Sequence, residues 1–298
     1  MGKTVIARGV IARTARIRLM YENDDLFKVA YVCSNQNIAN QNLSKLRLVP
    51  APKKRDCDRY RDDISEMRLS MQHLRVTEDE NDEEIRSRYI QLIPLTPETS
   101  FRMSGGSGTA RERALMSVIL ARMPELAKWK RKIKRKLSQK VSHWADMCKL
   151  YENRVNNCSC ITRGKYPRNV LTALAHHRAN VVGIVKWLIG EGPSPFDKIT
   201  EASAVRTLRM TFSEISVEML NPDLVIMDEF QRYKFLLDSE DGGQNEINVL
   251  ARRFLAHDKQ DRRVLLLSAT PFKYYETLAE RLNEEGGGAY KECTIPRI

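Results

Sequence analysis

Four short apolar runs and several longer amphipathic stretches divide the chain. The runs cover residues 27–32, 89–95, 224–227 and 264–267. The unbroken run at 224–227 suits a parallel strand buried on both faces, and the others read as strand candidates. Helical spacing recurs over 3–20, 39–48, 64–74, 110–123, 124–148, 171–189 and 201–220, and again over 233–237, 246–255 and 275–282. Pro50 and Pro52 close one helix, and Gly190-Glu191-Gly192-Pro193-Ser194-Pro195 breaks another. Strands alternating with helices predict an α/β fold with a parallel sheet. The acidic run at 77–84 reads as a solvated loop. Residues 104–109 read as a Gly/Ser linker, and so does the tail around Gly286-Gly287-Gly288.

Composition narrows the class. The chain has 298 residues, and 42% of them are apolar, enough for a core. Fifty basic residues against 38 acidic give a net charge of +12, which favours a polyanionic partner or an acidic surface. Six scattered cysteines read as reduced thiols. Cys148, Cys158 and Cys160, with His143 nearby, are poorly spaced for zinc, and His176-His177 reads as structural. No apolar run reaches membrane-spanning length and no targeting signal is evident, so no membrane partner and a cytoplasmic location are expected.

The chemistry gathers at the ends of the predicted strands. Leu224-Val225-Ile226-Met227 runs straight into Asp228-Glu229. Ligands of open α/β sheets bind at the carboxyl ends of strands. A carboxylate pair there suits a cation or a reacting water, although a helix cap supported by the helix dipole would also use it. The 264–267 run ends in Ser268-Ala269-Thr270. Gly2-Lys3-Thr4 opens the first helix as the second half of a phosphate-binding loop, with backbone N–H groups and Lys3 for phosphate and Thr4 for Mg²⁺.

In order and spacing these segments resemble the first motor lobe of superfamily 2 helicases and translocases, in a Snf2-related form. Gly2-Lys3-Thr4 matches the end of motif I, and Val32-Cys33-Ser34-Asn35-Gln36 with Gln41-Asn42-Leu43 matches motif Ia. Thr96-Pro97 is similar to motif Ib, Asp228-Glu229-Phe230-Gln231-Arg232 to motif II, and Ser268-Ala269-Thr270 to motif III. The resemblance implies a RecA-like P-loop sheet flanked by helices, with ATP and Mg²⁺ as cofactors. It implies that Gly2 and Lys3 hold phosphate, that Thr4 and Asp228 hold the metal, and that Glu229 activates water. It also implies that Gln231 and Arg232 relay between nucleotide and nucleic acid. Ser34, Asn35, Gln36, Gln41, Thr96, Ser268 and Thr270 are implied on the nucleic-acid path or the coupling path. Ser34 or Asn35 would equally cap the next helix. The implied partners are nucleic acid, DNA ahead of RNA, and a second RecA-like lobe in cis or in trans.

The implied lobe falls into 1–109, a helical insertion at 110–205, and 206–298. Within the insertion, residues 128–136 form a dense cationic cluster, readable as a polyanion-binding face or as a solvated helix face. Only Met1 precedes Gly2, so the phosphate loop reads as cut and the chain as a fragment that binds ATP weakly by itself. The competing expectation is a nucleic-acid-binding or scaffold remnant without turnover.

Overall fold

The computed structural model describes residues 2–21, 26–34, 36–48, 68–80, 82–83, 89–96, 100, 107–139, 141–230 and 263–268. The helices expected at 233–237, 246–255 and 275–282 lie outside them.

Four parallel strands form one sheet. They are β1 (Phe27–Val32), β2 (Ile90–Leu95), β3 (Leu224–Asp228) and β4 (Arg263–Leu267), in the order β2-β1-β3-β4. Val32 pairs with both Leu95 and Met227, and Asp228 pairs with Leu267, so all four carboxyl ends share one edge. All five β3 residues are buried, as expected of a central strand covered on both faces.

The period-two alternation of strands sorts side chains to two faces. Val29, Tyr31, Leu224 and Ile226 pack under α1 (Gly2–Tyr21) and α2 (Gln36–Leu46). Ala30, Val32, Val225 and Met227 pack under α3 (Leu69–Glu80) and the carboxyl half of a helix at Glu201–Leu220. On that second face, Val264 and Leu266 of β4 stay 47% and 43% exposed.

Between β2 and β3 stands a helical body. Its helices are α4 (Ala110–Leu120), α5 (Lys130–Ser138), α6 (Trp144–Ile161), α7 (Lys165–His176), α8 (Arg178–Leu188) and α9, the helix at Glu201–Leu220. A 3-10 turn, Ala127–Trp129, leads into α5. Two helices serve both cores. In α3, Met71 and Leu74 face the helical core while Leu69 and Val76 face the sheet. In α9, Leu208, Phe212 and Ile215 belong to the helical core, and Val217 and Leu220 to the sheet. The division expected near position 205 therefore falls within a continuous helix.

Three local expectations are corrected. The helix expected at 64–74 spans Leu69–Glu80 among the described residues and takes in the start of the acidic run read as a loop. Its polar side chains find tertiary partners: Arg154 holds Glu78 at 2.8 Å through two nitrogens, and Gln91 donates to Asp79 at 3.0 Å. The helix expected over 124–148 is interrupted, because Gln139 and His143 both adopt left-handed backbone, with φ of 45° and 56°. The stretch expected as one helix over 171–189 divides at His177, which sits 3.3 Å from Glu214. The expected linker ends in a packed helix cap: Thr109 and Glu112 form a capping box, and Gly108, at φ 71°, lies against Arg209.

Candidate functional site

The parallel sheet aligns the residues that follow its strands. Ser34, Thr96, Asp228-Glu229 and Ser268 all stand at the carboxyl edge. The amino end of α1 reaches the same edge, because α1 runs antiparallel to β3 and is tied at both ends. Arg18 pairs with Asp223 before β3, and Lys3 pairs with Asp228 and Glu229 after it. Ala7, Ile11 and Ala15 supply the buried stripe between those ties, at the three-to-four spacing of one helix face.

Asp228 is buried here, with 8% of its surface exposed. The Tyr31 hydroxyl donates to Asp228 Oδ2 at 2.7 Å, and Asn42 Nδ2 donates to that hydroxyl at 2.8 Å. Burial raises the Tyr31 pKa, and the hydrogen bond to Asp228 raises it further, so the phenol stays protonated as a donor. Asp228 Oδ1 has Lys3 Nζ at 3.1 Å but makes no aligned hydrogen bond, which leaves it a buried acceptor with spare capacity. Burial works to lower the Lys3 pKa. The hydrogen bonds and charges of Glu229 and Asp228 outweigh it and raise the value, so Lys3 is a cation here. Glu229 turns the chain sharply with φ of 58°, a left-handed conformation unusual for a residue with a side chain.

The other sequence-derived residues are distributed as follows. Gly2 is the first residue of α1, and a Cβ there would meet open space. Thr4 is half-buried in the same turn. Ser34 is half-buried after β1, Gln36 opens α2, and Gln41 is exposed on that helix with its carbonyl accepting from Ser44 Oγ at 2.7 Å. Thr96 is buried, its backbone N–H donates to Ser100 Oγ at 3.1 Å, and its own hydroxyl makes no hydrogen bond among the described residues. Ser268 is half-buried directly after β4. Asn35, Gln231, Arg232 and Thr270 lie outside the described residues. Sequence reasoning passed over Tyr31, and it quoted Asn42 only within a motif. The available signal was a single hydroxyl-bearing side chain next to the end of a buried strand.

The donor set fits a hard cation beside a phosphate. Asp228 Oδ1 offers an open carboxylate oxygen, and Thr4 offers a hydroxyl in the turn that also carries Lys3. Among the described residues no group of three His, Cys, Asp or Glu side chains forms a cage. Such a cation would therefore depend on water and phosphate for its remaining ligands.

The cationic cluster has become α5 and the turn before it. Ile133 and Leu137 anchor α5 in the helical core. Lys130 and Lys134 lie 3.1 and 2.6 Å from Glu152, Lys132 pairs with Glu191, and Lys136 pairs with Glu201. Lys128 stacks on Trp129, 4.1 Å from the ring centre. Among the described residues no helix is long and apolar enough to cross a membrane. Comparison with protein-family models, curated proteins and solved structures found no match for this chain.

Proposed function

We propose that this chain is the first RecA-like lobe of an ATP-dependent nucleic-acid helicase or translocase, and that its ATP–Mg²⁺ site lies between the first turn of α1 and the end of β3. One observation carries the reading. Lys3 of Gly2-Lys3-Thr4 meets the Asp228-Glu229 pair at the carboxyl edge of an all-parallel sheet.

In this reading Lys3 and the amino end of α1 hold the phosphates of ATP. Asp228 and Thr4 hold Mg²⁺, which supplies charge neutralisation at the transferring phosphoryl group. Tyr31 fixes the orientation of Asp228 through Oδ2, which leaves Oδ1 facing Lys3 with no hydrogen bond of its own. Glu229 exchanges its ion pair with Lys3 for a water and accepts that water's proton. Phosphoryl transfer asks mainly for position and charge, which these five side chains supply. Ser34, Thr96 and Ser268, on the same edge, would pass the nucleotide state to a bound strand of DNA or RNA. A second lobe, in cis or in trans, would close the site.

Calorimetric titration of ATP–Mg²⁺ into the chain, beside Lys3→Ala and Asp228→Asn, tests this. Saturable binding that both substitutions weaken supports the site. Binding that neither affects would place ATP elsewhere and end the assignment. The second reading, nucleic-acid binding without turnover, draws on the cations of residues 128–136. It predicts nucleic-acid binding with no nucleic-acid-stimulated ATPase when a second lobe is supplied.

A further inference from the structure

We propose that the open groove between α5 and the end of α8 is a binding site for single-stranded nucleic acid, separate from the sheet edge. The groove measures about 830 Å³. One wall is α5, where Lys132, Arg135 and Lys136 fall on one face at three-to-four spacing while Ile133 and Leu137 hold the other face in the core. The far wall carries Trp187, half-buried and packed against the helical core, followed by Gly190. Gln139, in left-handed backbone just past α5, also lines the groove.

Charge argues for an anionic occupant. Residues 128–136 hold seven cations and no carboxylate, and the pairs described above set only Glu152, Glu191 and Glu201 against them. Arg135 has no carboxylate within ion-pair distance among the described residues. The Lys132–Glu191 and Lys136–Glu201 pairs are partly solvated, and ion pairs of that kind are weak. A phosphate that displaced Glu191 or Glu201 would lose little and would meet Arg135 beside both lysines. Trp187 decides which anion. An indole beside a line of cations matches the stacking platforms on which unpaired bases rest, whereas an acidic peptide offers nothing to stack. A duplex keeps its base faces covered, so the occupant is single-stranded.

This site rests on nucleic acid being the partner, as in the reading above, but it is independent of ATP. The test is fluorescence anisotropy of a labelled oligothymidylate of about 16 nucleotides against the full chain at several salt concentrations. Lys132→Gln with Arg135→Gln should weaken binding and reduce the slope of log affinity against log salt by about 1.4, at about 0.7 per lost contact on a single strand. Trp187→Leu should weaken binding about tenfold with the slope unchanged, and Trp187→Phe should restore most of it, which separates stacking from loss of fold. Oligonucleotide binding that none of these variants alters overturns the groove, and so does poly-glutamate that competes as well as the oligonucleotide at equal charge. ATP–Mg²⁺ titration of the same variants separates the two proposals. Groove variants that lose oligonucleotide and keep ATP support this site, and they do so whether or not Lys3→Ala shows the nucleotide site to be real.

Discussion

Lys3 precedes Glu229 by 226 positions, yet its ammonium group bridges Glu229 and Asp228, 3.1 Å from Asp228 Oδ1. The Lys3 side chain is 30% exposed. Pairs of that exposure contribute at most about 1 kcal/mol. Lys3→Met should therefore shift the urea midpoint only slightly while lowering ATP–Mg²⁺ affinity at least tenfold. A large loss of stability with unchanged nucleotide binding would make the contact a structural tie between α1 and β3.

Tyr31→Phe removes the donor to Asp228 and leaves the Asn42 amide without that acceptor. Unpaired buried polar groups cost about 1–3 kcal/mol. Denaturant unfolding should show a loss in that range. Metal-dependent ATP binding should weaken further than Asn42→Ala weakens it, because Tyr31 bonds Asp228 directly and Asn42 reaches it only through Tyr31.

Arg209 and Glu112 form the most deeply buried ion pair among the described residues, with 1% and 0% of their side chains exposed and 3.0 Å between Nε and Oε1. Ser70 Oγ and the Thr109 N–H also donate to Glu112, each at 2.7 Å. Arg209→Met strands a buried carboxylate and should cost about 3–5 kcal/mol. Adding Glu112→Gln should recover part of that loss in a double-mutant cycle.

His73 is buried beside Tyr166, with its Nδ1 3.0 Å from the phenol oxygen, and burial pushes its pKa down to about 3. The unfolded chain takes up this proton near pH 6.5, and the folded chain resists it until about pH 3. Stability from the neutral ring is therefore complete above pH 6.5 and is lost as pH falls toward 3, by about 2 kcal/mol at pH 5. His73→Gln should flatten the change in urea midpoint between pH 7 and pH 5. An equal slope in that variant would assign the acid sensitivity to other groups.

Legibility followed the range of the forces involved. The apolar runs at 27–32, 224–227 and 264–267 mark β1, β3 and β4 to within a residue. Burial on both faces calls for a largely apolar run, and that is a local property. The helix over 201–220 was equally plain, with Thr200 capping its start and Asn221 in left-handed backbone at its end. The polar helix α3 was missed in part because Glu78 and Asp79 are satisfied by Arg154 and Gln91, which no local window contains.

The sequence by itself determined the four strands, the parallel α/β class, and the identity of the groups at the carboxyl edge. Those follow from side-chain period, strand-end chemistry and turn residues, all set within a few positions. Tertiary structure alone decided that Lys3 meets Asp228, that Tyr31 and Asn42 hold that carboxylate, and that Glu152, Glu191 and Glu201 temper the cations of α5. Those contacts depend on strand order and on which helix lies over which face. Packing of the whole chain fixes both, because only one arrangement buries the two sides of the sheet and the helical core together.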